Sequence, residues 1–324
     1  MGSARVARSL EEARSWFAPS GVTIGNFDGV HLGHQELMRL LAAECARLRC
    51  KPSVLTFDPH PTKVLAPNKA PRLLSRLEDR LRWMGEAGIE QVLVAPFDLE
   101  FSHLSPEEFV RRVLVEAAGA RVVLVGANFR FGRKAAGDAT LLRSLGERFG
   151  FETKTVVGVA YRGRIVSSTE VRNLLEIGDT RMAARLLGRP YSLSGAVVPG
   201  HGVGAKKTVP TLNLATDAEV LPANGVYITT VRDPDSGRRW PAVSNIGFRP
   251  TFEGHDLSIE SFLLEGYSEP APTRIEVSFL FRLREERKFP DPESLKVQIL
   301  RDATRAQRYF RRCRKWIAAA KLLY

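Results

Sequence analysis

Cysteine is scarce in this chain. Its 324 residues hold three, Cys45, Cys50 and Cys313, an odd number with no recurring spacing. A disulfide framework is therefore excluded as the source of stability. Long apolar runs are missing as well, and none approaches the roughly 18 residues that span a bilayer. The first twenty residues mix Arg5, Arg8 and Arg14 with Glu11 and Glu12 where a secretion signal would carry an apolar core. The expectation is a cytoplasmic protein with no membrane partner. Acidic side chains run short: 36 Asp and Glu face 48 Lys and Arg, leaving a net charge of +12. No internal repeat and no low-complexity segment interrupts the chain.

What is present describes an ordinary globular protein, 44% hydrophobic and 26% charged. The length suggests two domains of roughly 100–200 residues each. The positive balance asks for polyanionic or phosphorylated partners. Much of it lies near the end, in Arg301, Arg305, Arg308, Arg311, Arg312, Arg314, Lys315 and Lys321, while Leu295, Ile299, Ala303, Ala306 and Phe310 recur at helical spacing. That pattern predicts a terminal helix with one packed and one solvated face. No aromatic stacking pattern accompanies the charge, so nucleic acid is not an expected partner.

Up to about residue 160, short apolar runs alternate with helical patterns. The strands expected are 22–24, 53–57, 91–95, 122–126 and 155–159, with helices over 33–48, 75–87, 105–117 and 140–149. Such alternation predicts a parallel, Rossmann-like sheet covered on both faces, with ligands beyond the carboxyl ends of the strands. The unusual sequences fall at those ends. After the first strand comes Gly25-Asn-Phe-Asp-Gly-Val-His-Leu-Gly-His34, a glycine-rich turn that opens a helix. A helix N-terminus favours phosphate, and His31 and His34 would add donors to it. The plainer alternative is a strand–helix junction with two surface histidines. A zinc pair lacks completing ligands nearby.

After the fourth strand, residues 126–138 form a loop in which Phe129 and Phe131 could flank a planar ring, Asn128 could meet its edge, and Arg133 and Lys134 could meet phosphates. Ser167, Ser168, Thr169, Glu170 and Arg172 start another helix with a capping-box spacing and a second set of anion donors. Capping alone would also explain that pattern. Beyond Leu187 the composition changes. Residues 192–198, 211–214, 225–231, 240–245, 258–264 and 274–282 read as short alternating strands, which predicts a small closed six-stranded β-barrel before the terminal helix. The domains expected are 1–187 and 188–324.

Taken in order, the chain resembles the bacterial bifunctional riboflavin kinase/FAD synthetases. The resemblance is carried by Gly25–His34, Thr56-Phe-Asp-Pro-His-Pro61, residues 126–138, Ser167–Arg172, Pro210-Thr-Leu-Asn213, Asn224-Gly-Val-Tyr227, Asn245-Ile-Gly-Phe-Arg-Pro-Thr251 and Glu260. It implies that the second half phosphorylates riboflavin with ATP to FMN. The first half would then join FMN to the AMP part of a second ATP, both steps needing a divalent cation, Mg²⁺. His31 and His34 match the family's catalytic histidines. Gly25, Phe27, Asp28, Gly29 and Gly33, with Ser167, Ser168, Thr169 and Arg172, match its ATP and phosphate motifs. Asp58, Pro59, Asn128, Phe129 and Phe131 match its flavin side. In the second half, Glu260 stands in the place of the base, Thr211 and Asn213 in that of the metal ligands, and Gly202, Gly204 and Lys206 on the phosphate loop.

The departures all fall in that second half. Ala205–Val209 replaces a usual Gly-Arg-x-Leu-Gly-Phe stretch, Lys206 lacks the planar fork of Arg, and Leu212 replaces a small residue beside the proposed metal ligands. A monofunctional FMN adenylyltransferase with a degenerate barrel is the alternative this raises. ATP, riboflavin and FMN are the partners implied, and a homo-oligomer is compatible with the sequence.

Overall fold

The computed structural model describes residues 4–17, 19–199, 211–251, 254–265 and 271–320. By internal packing the chain divides into two compact units, Met1–Ser168 and Thr169–Tyr324.

The first unit is built on six parallel strands, β1 (Arg5–Ala7), β2 (Ser20–Ile24), β3 (Lys51–Asp58), β4 (Gln91–Pro96), β5 (Ala120–Gly126) and β6 (Glu152–Val156), in the order β1-β4-β3-β2-β5-β6. Residues on successive positions of the central strands go to opposite sides, as a two-sided sheet requires. Val54, Val92, Val94, Val122 and Leu124 pack on one face with Met38, Leu41 and Cys45 of α2 (Leu32–Leu48). Leu55, Leu93, Val123 and Val125 pack on the other, with Ala13 of α1 (Leu10–Trp16). The remaining helices of this unit are α3 (Pro61–Leu65), α4 (Leu77–Glu86), α5 (Leu99–Ser102), α6 (Pro106–Phe109, continued by a π-helical segment Val110–Ala117) and α7 (Ala139–Phe149). A two-stranded ribbon, β7 (Ala160–Tyr161) and β8 (Arg164–Ile165), follows.

The strand order reverses beside β2: the chain goes to β3 and β4 on one side and to β5 and β6 on the other. Such a reversal opens a crevice at the carboxyl ends of the neighbouring strands. Gly25–His34 leaves β2 into that crevice.

The second unit opens at Thr169, inside α8 (Ser168–Glu176), and α9 (Thr180–Leu187) follows. It continues with the closed antiparallel barrel β9 (Tyr191–Val198), β10 (Thr211–Ala215), β11 (Gly225–Arg232), β12 (Arg239–Thr251), β13 (Gly254–Leu263) and β14 (Arg274–Arg284). The terminal helix α10 (Pro292–Ala320) follows. The expected α/β sheet, six-stranded barrel and terminal helix are all observed. Alternate residues fill the barrel, among them Tyr227, Ile259, Leu263 and Phe279. Inside it Thr229 and Ser261 each share a hydrogen bond with Ser244, both at 2.7 Å, so the buried hydroxyls satisfy one another. The opposite face of β11 is buried under α10, where Val226, Ile228 and Val243 meet Ala306. Arg282 of β14 fastens the α8–α9 turn to the barrel, its Nη2 donating to the Asn224 carbonyl at 2.6 Å and its Nη1 to that of Ile177 at 3.4 Å.

Gly195 marks a tight crossing in the barrel: a Cβ there would run into the Ala215 carbonyl oxygen of β10, which is backbone. Gly195→Ala is expected to destabilise the second unit by about 1–3 kcal/mol through overpacking. Scanning calorimetry should show its transition fall while that of the first unit stays in place.

Candidate functional site

The turn after β2 is held in an unusual backbone form. Phe27 and Val30 have φ of 49° and 37°, and Gly29 has 75°. Left-handed backbone at Phe and β-branched Val stores strain of about 1–3 kcal/mol per residue, which the surroundings must over-determine. They do so through Asp28, which is only 3% exposed. Its carboxylate accepts from the Leu74 and Ser75 amides at 3.0 and 3.1 Å and from Ser75 Oγ at 3.0 Å. The Gly29 amide in turn donates to Ser75 Oγ at 2.9 Å. Arg80 of α4, 2% exposed, supports the turn from behind, its Nη1 donating to the Asn26 carbonyl at 2.9 Å. Burial pushes the Arg80 guanidinium below its ordinary value, opposed by the negative charges of Asp28, Asp58 and Glu78.

This frame presents two imidazoles at the start of α2. His31 caps the helix: its Nδ1 accepts from the His34 amide at 3.3 Å, so the ring's N–H is carried at Nε2. The His31 and His34 rings stack at 3.6 Å between centroids, and Phe27 meets His34 edge-on at 5.1 Å. A Cβ at Gly33 would lie 3.2 Å from the His31 ring and 3.5 Å from the Val166 carbonyl oxygen, so glycine keeps the helix start open to both. Ser168 Oγ donates to the Asp28 carbonyl at 2.9 Å. Ser168, the last residue of this unit, is thereby tied to the histidine turn; Thr169 and Arg172 lie in α8 within the second unit.

Within the same unit, with Ile24 at the end of β2 in its lining, lies an aromatic cavity of about 570 Å³. Phe129 and Phe131 line it, their rings stacked at 5.5 Å, together with Phe57, Phe97, Phe101 and Phe109. Arg130, Arg133 and Lys134 give it a basic rim. Asn128, Asp58 and Pro59 are exposed and lie outside this lining; Asp58 and Pro59 form a cis peptide at the end of β3. The cavity joins an apolar floor to cationic edges, which suits a planar ring carrying an anionic arm. Of the four further phenylalanines, Phe57 lies inside the Thr56–Pro61 motif, whereas Phe97, Phe101 and Phe109 escaped sequence reasoning because they come from separate segments with only the Phe97/Phe101 spacing as a signal.

On the barrel, Glu260 lies directly opposite Asn213 on one neighbour strand and Asn245 on the other. Paired residues share a face, and Thr211, two positions from Asn213, shares it too. This is the outer face. Thr211 and Glu260 line a cavity of about 390 Å³ there, walled on one side by Leu295, Ile299 and Asp302 of α10. Ser258 Oγ donates to Glu260 Oε1 at 3.1 Å. Leu212 points the other way, into the barrel core, where it is 3% exposed. The larger side chain that departs from the family pattern at Leu212 therefore does not crowd Thr211 and Asn213. Leu295 and Ile299, expected to pack, remain exposed at 42% and 37% on the cavity side. Gly202, Gly204 and Lys206 lie outside the described residues.

The FAD synthetase family model matches residues 15–170, and the riboflavin kinase model residues 187–310. A Haemophilus influenzae protein named bifunctional riboflavin kinase/FMN adenylyltransferase is 34% identical over 306 residues, spanning 94% of this chain and 99% of its own length. The chain belongs to the bifunctional riboflavin kinase/FMN adenylyltransferase family. Members of the same name from Escherichia coli K12 and Pseudomonas fluorescens are each 36% identical, covering 89% and 94% of the chain and 92% and 97% of their own lengths. Among solved structures, a Streptococcus pneumoniae crystal structure described as a macrolide-efflux protein superposes with a TM-score of 0.83 at 26% identity, covering 94% of this chain and 99% of that one. Among the described residues of the present chain, no helix is long and apolar enough to cross a membrane.

The family motif includes Asp28, but its carboxylate is spent inside the protein, and its partners Leu74 and Ser75 were not visible as site residues in the sequence. Asp28→Ala would strand two buried amides and a hydroxyl, at about 1–3 kcal/mol each. The first unit's thermal transition should drop accordingly, and Asp28→Asn, which keeps one acceptor, should recover part of the loss.

Proposed function

We propose that the chain makes FMN and then FAD, with one reaction in each half. The functional division we assign is 1–187 for FMN adenylyl transfer and 188–324 for riboflavin phosphorylation. The observation that carries this reading is that each half has its own reactive groups and its own cavity: the stacked His31 and His34 and an aromatic cavity in the first half, and Glu260 on the wall of the cavity under α10 in the second.

In adenylyl transfer the FMN phosphate attacks the α-phosphorus of ATP. A P–O bond forms to it, the bond to the β-phosphate oxygen breaks, and pyrophosphate leaves. The nucleophile is already ionised, so no base is needed; positioning and charge neutralisation do the work. His31 Nε2–H and the His34 ring steady the transferring phosphate over the amides of α2, with Gly25, Phe27, Gly29 and Gly33 shaping the cradle. Ser167, Ser168, Thr169 and Arg172 hold the leaving phosphates. Phe129 and Phe131 take the flavin ring, while Asn128, Asp58 and Pro59 serve its approach from outside the cavity lining.

In riboflavin phosphorylation the nucleophile is a neutral hydroxyl. Glu260 takes its proton as the hydroxyl oxygen bonds to the γ-phosphorus of ATP, the bond from that phosphorus to the β-phosphate oxygen breaks, and ADP leaves. Thr211 and Asn213 offer hard oxygen donors on the face that carries Glu260, a donor set suited to Mg²⁺, which keeps waters and phosphate oxygens in its shell. The cation, when bound, neutralises charge on the transferring phosphoryl group. Gly202, Gly204 and Lys206 are assigned to the ATP phosphates in this reading. The intact Thr211, Asn213 and Glu260 face, with Leu212 turned inward, speaks against a degenerate barrel. ATP dependence and the free thiols of Cys45, Cys50 and Cys313 favour a cytoplasmic protein, with ATP, riboflavin and FMN as its partners and neither nucleic acid nor membrane.

Incubation with riboflavin, ATP and Mg²⁺, followed by chromatography of the flavins, tests the reading: FMN and FAD should both form. Glu260→Gln should lower FMN production by about 10²–10⁴-fold, the usual contribution of a general base, and still convert added FMN to FAD. Undiminished FMN production by that variant would remove Glu260 from the role of base. His31→Ala should do the reverse, accumulating FMN.

A further inference from the structure

The C-terminal end of α2 carries two of the chain's three free thiols, and the chemistry above uses neither. Arg49 closes the helix in the left-handed conformation, with φ of 53° and ψ of 48°, and its amide donates to the Cys45 carbonyl. The Cys50 amide donates to the same carbonyl at 3.0 Å. This is the closure of a Schellman motif, which brings the residue after the left-handed one against a residue of the last helical turn. Here both of those residues are cysteines. The bond between their backbones holds the two Cα atoms within about 6.5 Å of each other, inside the span of a disulfide. Cys45 belongs to the buried cluster between α2 and the sheet, Cys50 packs against that cluster, and the two thiols share a hydrogen bond.

The two thiols differ in access. Cys45 is 1% exposed and packs so closely on β2 that a Cβ at Gly21 would run into its Sγ. Burial, reinforced by the neighbouring Cys50 thiol, pushes the Cys45 thiol up to about 12. A thiol so placed is inert toward dissolved reagents. Cys50 is half-buried and stands just before β3. A small-molecule disulfide therefore meets Cys50 first, and Cys45 is the thiol in place to displace it.

We propose that Cys45 and Cys50 form a reversible disulfide site in the first half of the chain, closed by exchange with a low-molecular-weight disulfide. The Cys50 thiolate, its proton given to solvent, attacks one sulfur of that disulfide; a mixed disulfide forms, and one small thiolate leaves and takes up a proton. The Cys45 sulfur then attacks Cys50 Sγ, the mixed disulfide breaks, and the second small thiol leaves with the Cys45 proton. Two protein thiols are oxidised to one disulfide, and one small disulfide is reduced to two thiols. In a reducing compartment such a bond is transient, the form in which disulfides act as redox sensors there. His31 caps the start of α2 and His34 lies in its first turn, so the modification falls on the helix that presents both imidazoles. The site does not depend on either proposed reaction.

The test treats the folded full chain with oxidised glutathione at neutral pH, alkylates the remaining thiols and maps the tryptic peptides without reduction. Trypsin cuts after Arg39, Arg47 and Arg49, which places Cys45 in Leu40–Arg47 and Cys50 at the start of a separate peptide. The two peptides should be found joined, lighter by two hydrogens than their sum, and dithiothreitol should separate them. Cys45→Ala removes the displacing thiol and should hold glutathione on Cys50. Cys50→Ser, a change at the half-buried position, should leave Cys45 free of glutathione. Absence of joined peptides in the folded wild type, whether Cys50 is bare or still carries glutathione, overturns the inference. Glutathione on Cys45 of Cys50→Ser, or joining seen only after unfolding in urea, overturns it as well.

Discussion

One buried carboxylate organises the first half. Asp28 sits in a turn whose backbone is strained at Phe27 and Val30, and it receives hydrogen bonds from two amides and a hydroxyl of Leu74 and Ser75. The strain and the anchoring belong together, because a turn of that shape persists only where its surroundings leave it no alternative. The consequence is the placement of His31 as the cap of α2 with His34 stacked on it. Ser168 is drawn to the same turn through the Asp28 carbonyl. The residue that holds the proposed phosphate site in shape therefore does not have to touch phosphate.

The barrel solves a different problem. A closed sheet has no edge, and its interior is filled by alternate side chains, so chemistry has to be carried on the outer face. Thr211, Asn213, Asn245 and Glu260 occupy adjoining positions of three neighbouring strands on that face, and α10 covers the next part of it. The cavity lies where the cover lifts, between the strands and Leu295, Ile299 and Asp302.

Sheet, barrel and terminal helix were legible in the sequence because long-range burial imposes periodicity, and the periodic segments were the ones read well. The failures have physical causes. β1, three residues paired only with β4, is too short to show a pattern. β6 was expected over 155–159 on the strength of its valines, but it spans Glu152–Val156 as an edge strand rich in polar residues, and Val157 is 84% exposed. In the sequence Leu212 stands out as a departure beside the proposed metal ligands, and strand alternation turns it into the core. At the sites, motif residues were legible and their supports were not. Ser75 and Arg80 lie far along the chain from the turn they hold, and nothing local in a serine or a helical arginine announces that duty.

Two separate phosphorus transfers at two separate sites are proposed, with the Asp28-anchored turn serving only the second. Labelled ATP tests this most directly. Riboflavin is incubated with ATP carrying label at the γ-phosphorus or at the α-phosphorus, using wild type and His31→Ala. In wild type, γ-label should enter FMN and FAD, and α-label should enter FAD alone. In His31→Ala, γ-label should still enter FMN while α-label incorporation is lost. Loss of both labels together in His31→Ala, or α-label appearing in FMN, would contradict it.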